Sequence, residues 1–552
     1  MSERNVFFTH EVSNQPPALE NYNLFKTDTA LSQAFNRYAP KAAENAAENH
    51  VQKYGALMGL PYTIEQGRLA NEHPPIFKPF DRFGERINEV EFHPAYHHMM
   101  KTGLENGMAA LPWTKDKESA HTVHAALEYL HTQAEPGTCC PLTMTYAVVP
   151  ALRHQPDIAD KWVPKILARQ YDPQNIPMTE KKGVTIGMAM TELQGGSDVR
   201  ANSTTATQVG SGNEYELLGH KWFCSAPMCD AFLTLAYTDA GLTCFLVPRW
   251  TPDGERNSIQ IQRLKEKLGN KSNASSEIEY HNSFAQRIGE DGNGIKTILD
   301  MVHHTRLDCA IAPIGLMRQA LVQAIHFARH RNVFQKKLVD QPMMQSVLAD
   351  LALEVEAGTI CFMYMAHKFD QAEKDTDAKI FARLGVALAK YWHNKRCPNF
   401  IYEAMECMGG AGYVEENILP RLYREAPLNS IWEGSGNVIC LDILRTLNKE
   451  PRALELYFAE LAPAKGSNQY FDRALEDLQE SFGQTRDPQL HARATVENMA
   501  LCMQAALLIQ HAPAEISDAF CATRLGGLGG RCYGTLPTNT NLKFIIERCY
   551  AG

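Results

Sequence analysis

The stretch "IGMAMTELQGGSDV", Ile186 to Val199, is where the chain changes its period. An apolar, strand-like run ends at Thr191, and a Gly-Gly-Ser-Asp turn follows. Before it, segments such as "AHTVHAALEYLHTQ" (120–133) space their apolar residues as helices do. After it come "EYELLGHKWF", "AFLTLAYTD", "LTCFLVPRW", "NSIQIQRL" and "SSEIEYHNSF", short runs rich in β-branched and aromatic residues. Gly, Asp and Asn turn signals break them, as in "VGSGNE", "TPDGE" and "LGNKSN". Ile259 and Ile261 alternate with polar neighbours, as on a half-buried strand. The pattern predicts a small antiparallel barrel or sandwich.

From Ile295 helices return. Three long amphipathic segments precede a fourth after Glu433, and four in one block predict a bundle. A break near Asn448-Lys449-Glu450-Pro451 precedes further, shorter helices. The expected fold is therefore mainly α with a central β domain. Its parts are an N-terminal α-helical domain (1–186), a β-barrel (187–294), a four-helix bundle (295–448) and an extra C-terminal helical domain (449–552).

The chain has 552 residues, 44% hydrophobic and 21% charged, enough for several domains with sizeable cores. The formal charge of -9 carries no global basic excess toward nucleic acid or anionic membrane. The longest apolar windows, such as "NMALCMQAALLIQ", are too short to span a bilayer. The polar start "MSERNVFFTHEVSNQ" shows no hydrophobic signal core. The 14 cysteines are scattered without CxxC or zinc-ligand spacing, so no metal site is expected. They read as reduced core residues of a cytoplasmic protein.

Five stretches can carry chemistry. In the opening one, the hydroxyls of Thr191 and Ser197 and the amides of Gly195 and Gly196 can meet a polar ring edge and a phosphate. Spacing alone favours a plain β-turn, because Gly-rich turns are common. "GHKWFCSAP" (219–227) sets aromatics before Ser225 at a strand end, for a flat heterocycle or simply for the core. "ARHRNVFQKKL" (328–338) offers Arg331 and Phe334 for a phosphate and an adenine, or a solvated helix end. Gly409, Gly410 and Gly412 close a helix with a tight loop, which plain C-capping also explains. In "NSIWEGSGNVICLD" (429–442), Glu433 follows Trp432 and precedes Gly434-Ser435-Gly436, at the mouth of a helix. Val438, Ile439, Leu441, Ile443 and Leu444 read as that helix's buried face. A catalytic base and a charge on the helix dipole fit that place alike.

Taken together and in this order, "TELQGGSD", "KWFCS", "RNVFQ", "GGAGY" and "WEGSGN" resemble the acyl-CoA dehydrogenase family patterns TEPxAGSD, KxWIT, RxxFG, GGxGY and YEGT. The resemblance covers about residues 60 to 448. "CPLTMTYA", "GMAMTELQGGSDV", "KLGNKSNAS" and "RLYREAPLNSIWEGSGN" are similar to its AidB-like, alkylation-response flavoprotein branch. The family fold is a helical domain, a barrel and a four-helix bundle, with FAD between barrel and bundle. Carried over, the resemblance places Met188, Ala189, Met190, Thr191, Glu192, Leu193, Gln194, Gly195, Gly196 and Ser197 along the flavin and its phosphates. Phe223, Cys224 and Ser225 would cover the ring. Ile431, Trp432, Gly434, Ser435, Gly436, Asn437 and Leu441 would lie along it. Arg331 and Phe334, with Gly409 and Gly410, match positions that hold the ADP part of a neighbouring subunit's FAD, which implies a homotetramer, a dimer of dimers.

Glu433 would take the α-proton of an acyl-CoA thioester while the β-hydride passes to FAD. Arg306 matches a family arginine near the site, and a structural ion pair fits it equally. Leu193, Gln335 and Trp432 depart from the family's proline, glycine and tyrosine. Two functions follow from the resemblance: an FAD-dependent acyl-CoA dehydrogenase, or a double-stranded-DNA-binding protective flavoprotein with little dehydrogenase activity. For the second, residues 451–552 hold nine Lys/Arg against eleven Asp/Glu, a net of -2. Arg473, Arg486, Arg493, Arg524, Arg531, Lys543 and Arg548 are the candidate phosphate contacts, if the helices bring them onto one face.

Overall fold

The computed structural model describes residues 9–39, 41–114, 119–484 and 487–550. Helices α1 (Thr29–Tyr38), α2 (Lys41–Met58), α3 (Pro61–Glu72), α4 (Pro94–Glu105), α5 (Ala120–Ala134), α6 (Cys139–Leu152) and α7 (Pro156–Ile166) come first. A β-hairpin interrupts them, β1 (Ile76–Phe80) pairing antiparallel with β2 (Arg86–Glu91). The helical expectation for this region missed it. "IFKPF" holds a proline, which weakens a strand signal but is tolerated at a sheet edge.

Every residue of α5 is buried, polar ones included. The helix is walled in by α2, α8 and α9, and its histidines find partners inside the protein, while Glu128 keeps one carboxyl oxygen without a hydrogen bond. His131 bonds the Tyr54 hydroxyl at 2.6 Å and Thr138 at 2.9 Å. His124 meets Asp308 at 2.8 Å.

The strands are β3 (Ile186–Ala189), β4 (Thr205–Gln208), β5 (Glu214–Ser225), β6 (Ala231–Thr238), β7 (Gly241–Pro248), β8 (Ile259–Leu264) and β9 (Ser275–Ile288). Their order is β3-β6-β4-β5-β9-β7, and a further β6–β7 pairing closes the ring into a barrel. β8 pairs with β9. The barrel is not wholly antiparallel, because β3 and β4 both run parallel to β6. Alternation is clear at the start of β5, where Tyr215 and Leu217 are buried between exposed neighbours. It is absent in β6, whose first six residues are all buried.

The bundle consists of α8 (Gly294–His330), α9 (Pro342–Gln371), α10 (Thr376–Cys407) and α12 (Gly436–Lys449), with the short α11 (Leu419–Glu425) before the last. α8 and α10 run the same way: Asn394 bonds Cys309 O and Cys397 bonds Pro313 O. On α12, Ile439, Cys440, Ile443 and Thr446 are buried. Leu441, expected on that buried face, is 39% exposed.

Helices α13 (Pro451–Leu461), α15 (Pro488–His511), α16 (Ala514–Phe520) and α17 (Leu542–Cys549) pack onto α9, α10 and α12, and α14 (Gln469–Gln484) packs against α15. Buried charges fasten them. Arg524 bonds Asp350 (2.5 Å) and Glu354 (2.8 Å), and Arg548 bonds Glu356 (2.8 Å). Among the described residues, no helix is long and apolar enough to cross a membrane.

Candidate active site

Glu433 sits in the turn that leads into α12, with a left-handed φ of 55°, followed by Gly434 at 97°. For a residue with a Cβ that conformation costs about 1–2 kcal/mol, so the surroundings must hold it. Lys390 Nζ donates to the carbonyls of Trp432 (2.9 Å) and Gly434 (2.5 Å). Arg306 Nε donates to the Glu433 carbonyl at 3.3 Å, while its guanidinium is paired with Asp442 at 2.7 Å. Three successive carbonyls are thus clamped to α8 and α10. The Trp432 indole donates to Asn429 at 2.5 Å.

The Glu433 carboxyl accepts a 2.6 Å bond from the Thr305 hydroxyl. Burial pushes this carboxyl above its ordinary range, against the Thr305 bond and the Arg306 and Lys390 charges that pull it down. Lys390 is itself pushed down to about 8 by burial. A carboxyl raised by burial binds its proton more tightly than an exposed one.

Across from this turn lies the barrel end. Met188 and Ala189 belong to β3, and Met190 to Ser197 form the turn beyond it. The Thr191 carbonyl accepts from Trp222 N at 2.7 Å, which ties the turn to β5. Gly195 has φ 129° and open space where a Cβ would project. A Cβ on Gly196 would come within 2.3 Å of Thr191 Oγ1. The hydroxyls of Thr191 and Ser197 bond to nothing among the described residues. Leu193, Phe223 and Ile431 are 62%, 52% and 65% exposed, unusual for large apolar side chains. Exposed apolar side chains, the free Thr191 and Ser197 hydroxyls and the Gly196 amide fit a flat heterocycle with an anionic tail, whereas the Gly195 amide is already bonded to the Glu192 carbonyl at 2.9 Å.

Three expected contact residues turn their side chains elsewhere. Glu192 is fully buried in an ion pair with the fully buried Lys221 at 2.8 Å, and it also takes Ser203 N at 2.6 Å. Burial raises that carboxyl, but Lys221 and these bonds override it and hold it well below the usual range. Cys224 and Ala189 are also fully buried. These three can offer a ligand only their backbone. Gln194 spends its amide on Glu192 and the Ala201 carbonyl.

Ser435, Gly436 and Asn437 open α12, which has no side-chain N-cap. Leu441 and Asn437 are exposed on it. Arg331 and Phe334 lie at the far end of α8. From Thr305 to Arg331 the helix rises about 40 Å at its standard pitch, too far to serve the ligand beside the same chain's Glu433. Gly409 and Gly410 end α10 at that same far side, with open space around both. Arg331 bonds the Asn14 carbonyl at 2.8 Å, and Phe334 is 89% exposed.

The sequence reading missed Thr305 and Lys390. Lys390 was legible only as a charge inside the apolar run "GVALAKYW"; Thr305, a common helix residue, carried no signal. Among the candidate DNA contacts, Arg524 and Arg548 are corrected to structural residues, because their charges are spent on α9 carboxylates. Arg493 bonds the Tyr391 hydroxyl at 3.2 Å but stays exposed. Lys543 lies 3.7 Å from Glu547. Arg473 and Arg531 are exposed. Arg486 lies outside the described residues.

Comparison with known proteins matches three family models in order. They are the adaptive response protein AidB N-terminal domain over residues 14–173, the acyl-CoA dehydrogenase middle domain over 187–283, and the acyl-CoA dehydrogenase C-terminal domain over 292–448. The chain is 42% identical to the Escherichia coli (strain K12) putative acyl-CoA dehydrogenase AidB over 527 residues, 95% of each chain. It is 27% identical to Caenorhabditis elegans acyl-CoA dehydrogenase family member 11, over 89% of this chain and 84% of that one. Among solved structures, Caenorhabditis elegans ACDH-11 in complex with C11-CoA superposes with a TM-score of 0.85 at 25% identity, covering 95% of this chain and 94% of that one.

Proposed function

The chain belongs to the acyl-CoA dehydrogenase family, in its AidB branch, and from that premise we propose that it oxidises an acyl-CoA thioester with Glu433 as the base. FAD is the family's cofactor, and when bound between barrel and bundle it supplies the hydride acceptor. The observation that carries the reading is the Glu433 turn, a strained carboxylate clamped by Lys390 and Arg306 with its pKa raised by burial. The Glu433 carboxylate takes the α-proton, and the Thr305 hydroxyl fixes the carboxylate oxygen that does not. Phe223, Leu193 and Ile431 exclude water from the ring faces, while Thr191, Ser197 and the Gly196 amide receive the ring edge and phosphates. The exposed Phe334, past an α8 end about 40 Å from Thr305, and the exposed Tyr413 after the Gly409–Gly412 turn support a homotetramer in which a second subunit holds the ADP end. The test is anaerobic titration with a panel of acyl-CoAs: bleaching of the flavin band is expected for at least one. A flavin that no acyl-CoA bleaches overturns the dehydrogenase reading.

A second reading is duplex-DNA binding through residues 449–552, in the service of an alkylation response. It is supported by the AidB relationship, which at 95% coverage takes in these C-terminal helices. Binding of this kind reads phosphates, so it is independent of sequence and falls steeply with salt. Replacing the exposed Arg473, Arg531 and Lys543 by Ser weakens it if these residues carry it. Unchanged duplex affinity at low salt moves the site elsewhere, and no affinity at all removes the reading.

A further inference from the structure

In the loop between β8 and β9, Lys267 is half-buried and forms no ion pair among the described residues. Its ammonium donates instead to the Asn273 carbonyl and, at 3.1 Å, to the Ser275 hydroxyl. Ser275 Oγ in turn lies 3.5 Å from Ser225 Oγ. Asn270 and Glu425 close the loop from the bundle side, the carboxyl accepting from the Asn270 amides at 2.6 and 2.7 Å. The Cys140 thiol, at the start of α6, packs among Ser225, Asn273 and Lys267. Burial pushes that thiol up to about 12, so it supplies no counter-charge. Burial pushes the Lys267 ammonium down to about 8, and the nearby Glu425 charge opposes that shift only in part, so its positive charge is costly to hold.

The chemistry of the donors permits one direction for the chain, although the 3.5 Å serine–serine contact can run either way. An ammonium only donates, so Ser275 Oγ accepts from Lys267 and its own proton points onward. The acceptor within reach is Ser225 Oγ. When Ser225 accepts that bond, its own proton is left for another partner, the Cys140 thiol or a ligand beside Phe223 and the Thr191 turn. We propose that Lys267 and Ser275 are positioning residues that set the Ser225 hydroxyl as a donor toward the bound flavin and hold a positive charge behind it. This rests on the reading that Ser225 faces the flavin.

A positive charge close to the ring favours its electron-rich, reduced form. The test is the midpoint potential and visible band of the FAD-loaded full chain in four variants: Lys267→Met, Lys267→Arg, Ser275→Ala and Ser225→Ala. Lys267→Met is expected to shift the reduced-to-oxidised balance roughly tenfold toward oxidised, ~30 mV for two electrons. Ser275→Ala moves it the same way by less, and Lys267→Arg keeps the native value. Wild-type potentials in both Lys267→Met and Ser275→Ala, with FAD retained and the band altered in Ser225→Ala, overturn the relay. A shift in Lys267→Met with none in Ser275→Ala overturns it too. If Ser225→Ala also leaves band and potential untouched, the fault lies in the placement of the flavin. Should Lys267→Met not fold, Ser275→Ala against Lys267→Arg decides the same question.

Discussion

Thr305 and Glu433, 128 residues apart in sequence, meet at 2.6 Å, and the bond reaches only one oxygen of the carboxylate. It favours the charged form, against the burial that disfavours it. Removing it therefore lets the carboxyl rise further. A charge-assisted hydrogen bond is worth about 1.5–3 kcal/mol, or roughly one to two pKa units. In Thr305→Val the acid limb of the kcat/KM profile is expected to move to higher pH by about that much, since activity needs the deprotonated base. FAD content stays constant. An acid limb that stays in place contradicts this role for Thr305.

Glu433→Gln keeps the shape of the turn and removes the base. Acyl-CoA dehydrogenation falls by at least about a hundredfold, the usual scale for a lost general base. Stopped-flow measurement of flavin bleaching reads the step directly. Undiminished bleaching assigns the proton to another residue.

Lys221→Met strands the buried Glu192 carboxylate. Breaking one side of a buried pair costs about 3–5 kcal/mol, so the melting temperature should drop sharply. Lys221→Met with Glu192→Leu should recover much of the loss. The sign with pH follows from the depressed Glu192 carboxyl. Its contribution is full above the ordinary carboxylate pKa and fades as pH falls through the lowered one. The native chain is thus expected to lose more stability in acid than the double variant, as chemical denaturation at two pH values will show.

Arg524→Met leaves Asp350 and Glu354 on α9 without that cation. It is expected to destabilise the docking of the C-terminal helices, seen as faster proteolysis near Pro451. Duplex affinity per folded molecule stays the same, because Arg524 is not at the surface. Truncation near Leu447 has the same fault on a larger scale, since it also bares Glu356. Surface substitutions are therefore the cleaner test of DNA binding.

Much of the fold was legible because period and turn chemistry are local. The change at Ile186 and the five strand runs required no knowledge of partners. The hairpin at Ile76 escaped because its proline and short strands mask the alternation. The parallel pairings of β3 and β4 with β6 escaped because no local signal encodes the direction of a partner strand. The turn at Glu433 was legible from its glycines. The inward turn of Glu192 was not, because it depends on Lys221, 29 residues later, ending up in the same dry interior. Charge alone placed Arg524 with Arg473, and only the α9 carboxylates separate them.

The length of α8 carries a last consequence. It puts Arg331 and Phe334 out of reach of their own chain's flavin, so in the proposed tetramer each cofactor is gripped by two chains. A ligand shared in this way binds with an affinity set by the concentration of the protein as well as its own. Dilution that parts the subunits should bleed the yellow colour from the protein, and added FAD should draw the subunits back together.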